Sequence, residues 1–292
     1  MEALYERQRH HPPVSACPDL ARVRTANADF HLYVGSADAA KNSLLMQERG
    51  IGAVLALGTK ALSTATTIVI DILDMEEAFL MQHFDQCFSF LKLQEQHHTP
   101  TLVHCAYGQS RSAAICVAFL MHHEHLSLRD SYDRVQAARP CIYINSGFLA
   151  QLELFEAMQC HLVGTSSAHA TYRLRYAYER RLRGGSVAMV SQLAVDVTSG
   201  AKKIYCKKCN LHLGSHDNIV HHNHKNLNHA SSCGVLHVEP LAWMQLEPDA
   251  GKLTCPRCNS KVGQHSWMGV KCVQGTFSQP AIQLSTAKVE SR

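Results

Sequence analysis

The chain has 292 residues, enough for one sizeable core and a smaller second unit, and its formal charge of +4 is too mild to argue by itself for a nucleic-acid partner. Apolar content is ordinary for a globular protein, and no apolar run reaches the ~18 residues that a bilayer span needs, so no membrane partner is expected. Twelve cysteines without a secretory signal point to thiol chemistry or metal binding in a reducing compartment, cytoplasmic or nuclear, and not to disulfides.

Residues 1–25 are polar, with consecutive prolines at Pro12 and Pro13, and read as a flexible leader. Phe30–Gly35 reads as a strand, and ADAAKNSLLMQERG as a helix closed by Gly50. IGAVLALG and TTIVIDIL are continuous apolar runs, the pattern of buried central strands. Glu76 to Gln96 has helical periodicity at Phe79, Leu80, His83, Phe84, Cys87, Phe88 and Leu91. Thr101–Val103 is β-prone, and helices are predicted over 111–123, 127–138 and 145–160, with Pro140 stopping the second. The alternation predicts an α/β domain over residues 26–162, with a central, mostly parallel sheet flanked by helices. Cys87, Cys116, Cys141 and Cys160 fall on apolar stretches or element ends and read as structural.

One stretch in this domain carries chemistry. VHCAYGQSRSAA places Cys105 at the end of a buried strand and Arg111 at the first turn of a helix. The loop between them curls over a helix N-terminus, where backbone N–H groups and the helix dipole make an anion site. A cysteine aimed there is held as thiolate, its pKa lowered from ~8.5 toward ~3.5–7.5. Gly108 allows close backbone approach to an oxyanion, and Arg111 offers a planar fork to two phosphate oxygens. Thiolate, amide cradle and guanidinium together describe attack on phosphorus through a cysteinyl-phosphate.

His104, Cys105, Gly108, Arg111 and Ser112 resemble the signature loop of the cysteine-dependent protein phosphatases, and the Ser-Arg-Ser ending resembles the dual-specificity branch. The resemblance implies the fold of that branch. It also implies a substrate cradle of Ala106, Tyr107, Gly108, Gln109, Ser110 and Arg111, and a mechanism that needs no cofactor in catalysis. A proton donor belongs on the loop after TTIVIDIL, where Asp74 matches the family's place and Asp71 reads as a turn or edge residue. By the same resemblance His104 orients the loop, and Asn145, also a good N-cap, buttresses it. Ser112 donates to sulfur as the phosphoenzyme breaks down, although an ordinary first-turn serine fits equally well. No loop residue between Cys105 and Arg111 is basic, which favours a singly phosphorylated phosphoprotein side chain over a highly charged inositol phosphate.

Residues 163–200 read as a basic linker. TYRLRYAYERRLRGG sets Arg173, Arg175, Arg180, Arg181 and Arg183 beside Tyr172, Tyr176 and Tyr178. A solvated connector is the first reading, a patch for RNA or a phosphorylated partner the second. Beyond it, YCKKCN and TCPRCN mark a small β-rich zinc-binding domain over 201–285, followed by a tail over 286–292. The pattern resembles the zinc-containing subgroup of these phosphatases, whose C-terminal domain holds two ions. Carried across, Cys206, Cys209, Cys233 and His222 form one site, with His221, His224 and His229 as rivals for the histidine. Cys255, Cys258 and Cys272 form the other, left open because Gln274 stands where a cysteine is expected, with His265 or water as the fourth ligand. A single zinc held by both CxxC pairs is the alternative. The subgroup is linked to maturation of the large ribosomal subunit, so pre-ribosomal particles or RNA are further partners that the resemblance implies.

Overall fold

β-branched and aliphatic runs in the first half of the chain assemble one sheet. The computed structural model describes residues 4–292 apart from positions 5, 7, 9, 60–64, 186–201, 221–233 and 272–276. The chain divides into two units, Met1–His161 and Leu162–Arg292.

In the first unit the strands are β1 (Leu20–Val23), β2 (Leu32–Gly35), β3 (Ala53–Leu57), β4 (Thr66–Ile70) and β5 (Thr101–His104), in the order β1-β2-β5-β3-β4. β1 runs antiparallel to β2 at one edge, and the other pairings are parallel. β3 and β5 are buried at every position, which is why they read as unbroken apolar runs. The register sets Gly35 beside His104 and Ala56 beside His104. The carboxyl ends of three central strands therefore finish level, and the loops that follow them open at one end of the sheet.

Helices α1 (Ala37–Lys41), α2 (Ser43–Glu48), α3 (Phe84–Gln96), α4 (Arg111–Glu124), α5 (Leu128–Ala138) and α6 (Ser146–Ala157) complete the unit. Ser36, Asn42, Ser127 and Asn145 cap four of them through side-chain oxygens that accept from backbone N–H groups. α4 is buried from Arg111 through Met121, so it is a central helix with no polar stripe. Its Phe119 meets Phe30 and Phe88 edgewise or tilted, at centroid distances of 6.5 and 6.2 Å.

Three expectations for this unit need correction. The leader is anchored: Gln8 is buried, its Nε2 donates to the Ile144 carbonyl at 3.0 Å, its Oε1 accepts from Ile144 N–H at 2.7 Å, and β1 closes the sheet edge. The helix expected from Glu76 begins only at Phe84, after a 3-10 turn over Leu80–His83. The segment before that turn is held against α6. A Cβ on Gly147 would lie 1.9 Å from the Glu76 carbonyl oxygen, an approach only glycine allows. The last helix ends at Ala157, short of residue 160.

The second unit contains α7 (Ser167–Leu182), then β6 (Lys203–Cys206), β7 (His212–Ser215), β8 (Val235–His237), β9 (Ala250–Thr254), β10 (Lys261–Ser266), β11 (Val270–Lys271), β12 (Phe277–Ser278), β13 (Ala281–Ser285) and β14 (Val289–Ser291). They form a three-stranded sheet β14-β6-β7, a four-stranded sheet β8-β13-β10-β9, and the ribbon β11-β12. The tail is therefore a strand, with Glu290 paired to Tyr205.

The linker reading is also corrected within residues 167–182. Leu174 and Ala177 of α7 join the second unit's core with Ile204, Leu213, Val262, Ile282 and Leu284. Three of the five arginines are committed to carboxylates. Arg173 pairs with Glu239, Arg175 with Glu179 at 2.7 Å, and Arg181 with Glu247 and Asp249. Arg173 and Glu239 are 3% and 1% exposed, and Asn218 Nδ2 also donates to Glu239 at 2.8 Å.

Removing one member of this buried pair strands the other. Glu239→Ala is expected to destabilise the second unit by about 3–5 kcal/mol. Both tryptophans, Trp243 and Trp267, lie in that unit, so urea unfolding followed by tryptophan fluorescence measures it directly. A midpoint equal to wild type would show that the pair contributes nothing.

Candidate active site and cysteine cluster

β5 delivers Cys105 to the level edge of the sheet, and the chain turns at once into α4. Cys105 is 1% exposed, with Sγ 3.3 Å from Ser112 Oγ on the first turn of that helix. Residues 106–110 span the gap. Their carbonyls are taken one after another: Ala106 by Ala37 N–H at 3.1 Å, Tyr107 by Arg139 Nη2 at 3.0 Å, Gly108 by Arg139 Nε at 2.9 Å, and Gln109 by Tyr143 N–H at 3.0 Å. In a planar trans peptide, the N–H of the next residue points the opposite way. The N–H groups of Tyr107, Gly108, Gln109 and Ser110 therefore share one side of the loop, and among the described residues none has an acceptor. Such a row of free donors over a helix N-terminus suits an oxyanion.

Gly108 has φ of +69°, and a Cβ there would sit 2.5 Å from the Gly35 backbone. Glycine is required by its conformation and by contact with β2, a second reason beside approach to an oxyanion. Gln109 Nε2 donates to the Cys141 carbonyl at 2.9 Å, which fixes the loop from its other end. Tyr107 is 68% exposed at the mouth.

Arg111 is 7% exposed. Its Nη1 donates to the carbonyls of Leu57 at 3.2 Å and Ile72 at 3.1 Å, and its Nε lies 3.4 Å from Asp74 Oδ2. Asp74 Oδ1 accepts from Ser110 Oγ at 2.6 Å and from Asn145 Nδ2 at 2.7 Å. The carboxylate thus rests on the guanidinium beside the cradle, held by the loop's last residue and by the cap of α6. Asn145 acts on the acid and caps Phe148 N–H at 2.8 Å. Asp71 is exposed on the approach to this loop.

His104 is fully buried, with Nδ1 3.5 Å from Thr59 Oγ1 and Nε2 without a partner among the described residues. Burial lowers its pKa, opposed by a backbone hydrogen bond at Cys105, so the ring is favoured neutral. The remaining cysteines of the unit behave as core. Burial pushes Cys87 up to about 12 and raises Cys116 as well, while Cys141 and Cys160 stand at about 11, again chiefly through burial.

In the second unit the two CxxC turns repeat one geometry. Cys206 N–H donates to Leu211 O and Cys255 N–H to Ser260 O, both at 2.9 Å. Asn210 and Asn259 N–H groups return to the first cysteine's carbonyl. Both asparagines are left-handed, with φ of 58° and 53°. The turns face each other, and the four sulfurs of Cys206, Cys209, Cys255 and Cys258 lie within 4.8 Å of one another. Cys206 Sγ is 3.8 Å from Cys258 Sγ, and Cys209 Sγ is 3.5 Å from Cys255 Sγ. Hydrogen bonds from the Ser260 side chain and backbone hold the Cys258 thiol down at about 6. The two CxxC pairs thus come together in one cluster, the arrangement of the single-ion alternative. Cys233, His222 and Cys272 lie outside the described residues, and so do His221, His224, His229 and Gln274. His265 stands elsewhere, its Nε2 3.0 Å from the Pro248 carbonyl. The cluster is a set of four cysteines able to hold a metal ion.

Residues 32–158 match the family model for the dual specificity phosphatase catalytic domain. Over a longer span, the chain is 32% identical to rat "Dual specificity protein phosphatase 12" and 30% identical to the human protein of that name. Each alignment covers 89% of this chain and 86% of the relative. It is also 28% identical to the "Tyrosine-protein phosphatase YVH1" of Saccharomyces cerevisiae, over 78% of each chain. The chain belongs to the dual-specificity protein phosphatases. It is a protein phosphatase with an α/β catalytic unit and a β-rich unit bearing a four-cysteine cluster. Among the described residues no helix is long and apolar enough to cross a membrane.

Three features of the phosphatase escape sequence reading. Arg139 looks like an ordinary helix-end arginine, yet it is fully buried against the loop. Ser110 and Asn145 read as a cradle residue and a cap that buttresses the loop, but their meeting on one oxygen of Asp74 has no local signal. Gly58 has φ of +63°, and a Cβ there would fall 2.1 Å from Arg111 Nη1. The apolar run before it gives no hint that it seats a guanidinium.

The buried neutral His104 has a pH consequence. Its folded pKa lies below the unfolded value of ~6.5, so its contribution is complete above that pH. As pH falls through ~6.5 the unfolded chain gains a proton that the folded chain refuses, and stability drops by up to about 1.4 kcal/mol per pH unit until the folded pKa is reached. Comparing urea stability at pH 7.5 and 5.5 by far-UV circular dichroism, His104→Gln is expected to lose less than wild type. An identical loss in both proteins excludes this role for His104.

Proposed function

We propose that the phosphatase hydrolyses phosphotyrosine, phosphoserine and phosphothreonine through a cysteinyl-phosphate on Cys105. The observation that carries this reading is the convergence of Cys105, a row of free N–H donors, Arg111 and Asp74 at one end of the sheet. Cys105 Sγ attacks phosphorus in line and forms the S–P bond. The bond to the side-chain oxygen breaks, and that oxygen takes a proton from Asp74. The cradle of residues 106–110 and the guanidinium of Arg111 hold the three equatorial oxygens. Asp74 then takes a proton from a water that attacks phosphorus. The S–P electron pair returns to sulfur, assisted by a hydrogen bond from Ser112 Oγ. Asp74 is preferred over Asp71 because it alone of the two contacts Arg111, Ser110 and Asn145.

The substrate class follows from the cradle. Ala106, Tyr107, Gly108, Gln109 and Ser110 carry no charge, which suits one phosphoryl group and gives a polyphosphorylated ring nothing further to bind. Cys105→Ser is expected to abolish turnover of an aryl phosphate and of phosphopeptides while retaining phosphopeptide binding. Asp74→Asn is expected to lower kcat by about 10²–10⁴ for alkyl phosphate esters and less for good leaving groups. Steady-state kinetics on both substrate types test this, and an Asp74→Asn enzyme with wild-type kcat on phosphoserine would remove Asp74 from the mechanism.

We infer that the four-cysteine cluster holds one structural zinc. Tetrahedral zinc with thiolates at ~2.3 Å places neighbouring sulfurs about 3.8 Å apart, and the cross-turn pairs lie at 3.8 and 3.5 Å. Such an ion links the Cys206 turn to the Cys255 turn. Cys206 and Cys255 belong to the core of the second unit, so metal loss is expected to unfold that unit while aryl phosphatase activity persists. Metal analysis is expected to give one zinc per chain, and a chelator to abolish the cooperative tryptophan transition. A count of two, or an unchanged transition after complete metal removal, contradicts the single shared site. A cytoplasmic or nuclear setting is compatible with four such thiols.

A further inference from the structure

The geometry points to Arg139 as a positioning residue that sets the direction of the amide cradle, an inference that rests on reading the Cys105 loop as the phosphate site. Arg139 follows α5 and is fully buried. Buried arginines are ordinarily paired with carboxylates, because an uncompensated charge is costly to desolvate. Here, among the described residues, the partners are three backbone carbonyls. Nε donates to Gly108 at 2.9 Å, Nη2 to Tyr107 at 3.0 Å, and Nη1 to Pro18.

This arrangement does something a carboxylate pair would not. The rigid fork spans two consecutive carbonyls of the loop and turns both away from the cysteine side. Because the peptide planes are rigid, the N–H groups of Gly108 and Gln109 must then face the opposite way, where they stand free. The loop could otherwise flip a peptide and present an oxygen to the anion. Gly108 makes such a flip sterically cheap in isolation, since glycine tolerates both signs of φ. A lysine delivers one point donor and cannot hold two carbonyls in fixed directions. The third bond, to Pro18, ties the segment before β1 to the same guanidinium. The N-terminal residues are thereby part of the support for the cradle.

The test uses the full chain with Arg139→Lys and Arg139→Ala, p-nitrophenyl phosphate as substrate and inorganic phosphate as competitive inhibitor. With misdirected amides, kcat/KM is expected to fall about tenfold or more, and Ki for phosphate to rise by a similar factor, because the same donors hold the ground-state oxyanion. Millimolar guanidinium is expected to restore part of the activity of Arg139→Ala. All constants are expressed per folded molecule, from thermal unfolding of the same samples. If Arg139→Ala does not fold, Arg139→Lys decides. Variants that are less stable but bind phosphate and turn over substrate within about twofold of wild type overturn the proposal and leave Arg139 a packing residue. A failure of the underlying site reading looks different: wild type would be inactive, or active after Cys105→Ser.

Discussion

Everything at the active end of the first unit depends on the direction of four peptide planes. An oxyanion is repelled by carbonyl oxygens and attracted by N–H groups, and a loop contains both in equal number. The chain resolves this by satisfying each carbonyl of residues 106–109 from behind, with donors from α1, from Arg139 and from the segment before α6. Three separate elements therefore specify one loop of five residues. The contact between Gly108 and Gly35 closes the set, since any side chain at 108 would strike the backbone at the end of β2. The free donors cost no reorganisation when an anion arrives, which is the condition under which they favour a transition state.

The same economy links the acid to the cradle. Ser110 is the last residue of the loop and the N-cap position of α4, and its hydroxyl holds Asp74. Arg111, the next residue, is gripped by the carbonyls of Leu57 and Ile72 and reaches the other oxygen of Asp74. A guanidinium so anchored keeps its plane, and with it the direction of the fork it offers to phosphate. The price is paid in regular structure. Residues between β4 and the Leu80–His83 turn cannot continue as helix, because Ile72 must present its carbonyl to Arg111 and Glu76 must lie against Gly147. Phe79 and Leu80 are buried all the same, without an α-helix to carry them.

The sheet, its helices and the Cys105 loop were legible because each produces a local pattern. Buried parallel strands read as apolar runs, and strand, glycine, arginine and helix agree on one loop. What was not legible arises from partners distant in sequence. The bonds from Gln8 to Ile144 and from Arg139 to Pro18 span more than a hundred residues, so a polar, proline-containing stretch read as a loose leader. Arg173 shows the converse. Its neighbours suggest a solvated basic helix, and only the acid at Glu239, brought in from another element, shows that the charge is buried. Net charge in a window cannot distinguish arginines facing water from arginines facing carboxylates.

In the cysteine cluster, local symmetry brings together two pairs that lie far apart in sequence. Each CxxC turn satisfies its own backbone in the same way, down to a left-handed asparagine after the second cysteine. Two such turns on different strands present four sulfurs in pairs, and each pair alone supplies only half of a tetrahedral site. Bringing the pairs together supplies four sulfurs able to hold a metal ion, beside the core that Ile204, Val262 and Leu284 form. Four thiols at these separations gain little from one another in the absence of an ion, since sulfur is a weak donor and a weak acceptor. The approach of β6 and its turn to the turn after β9 gathers four sulfurs, within 4.8 Å of one another, into a set able to hold a metal ion.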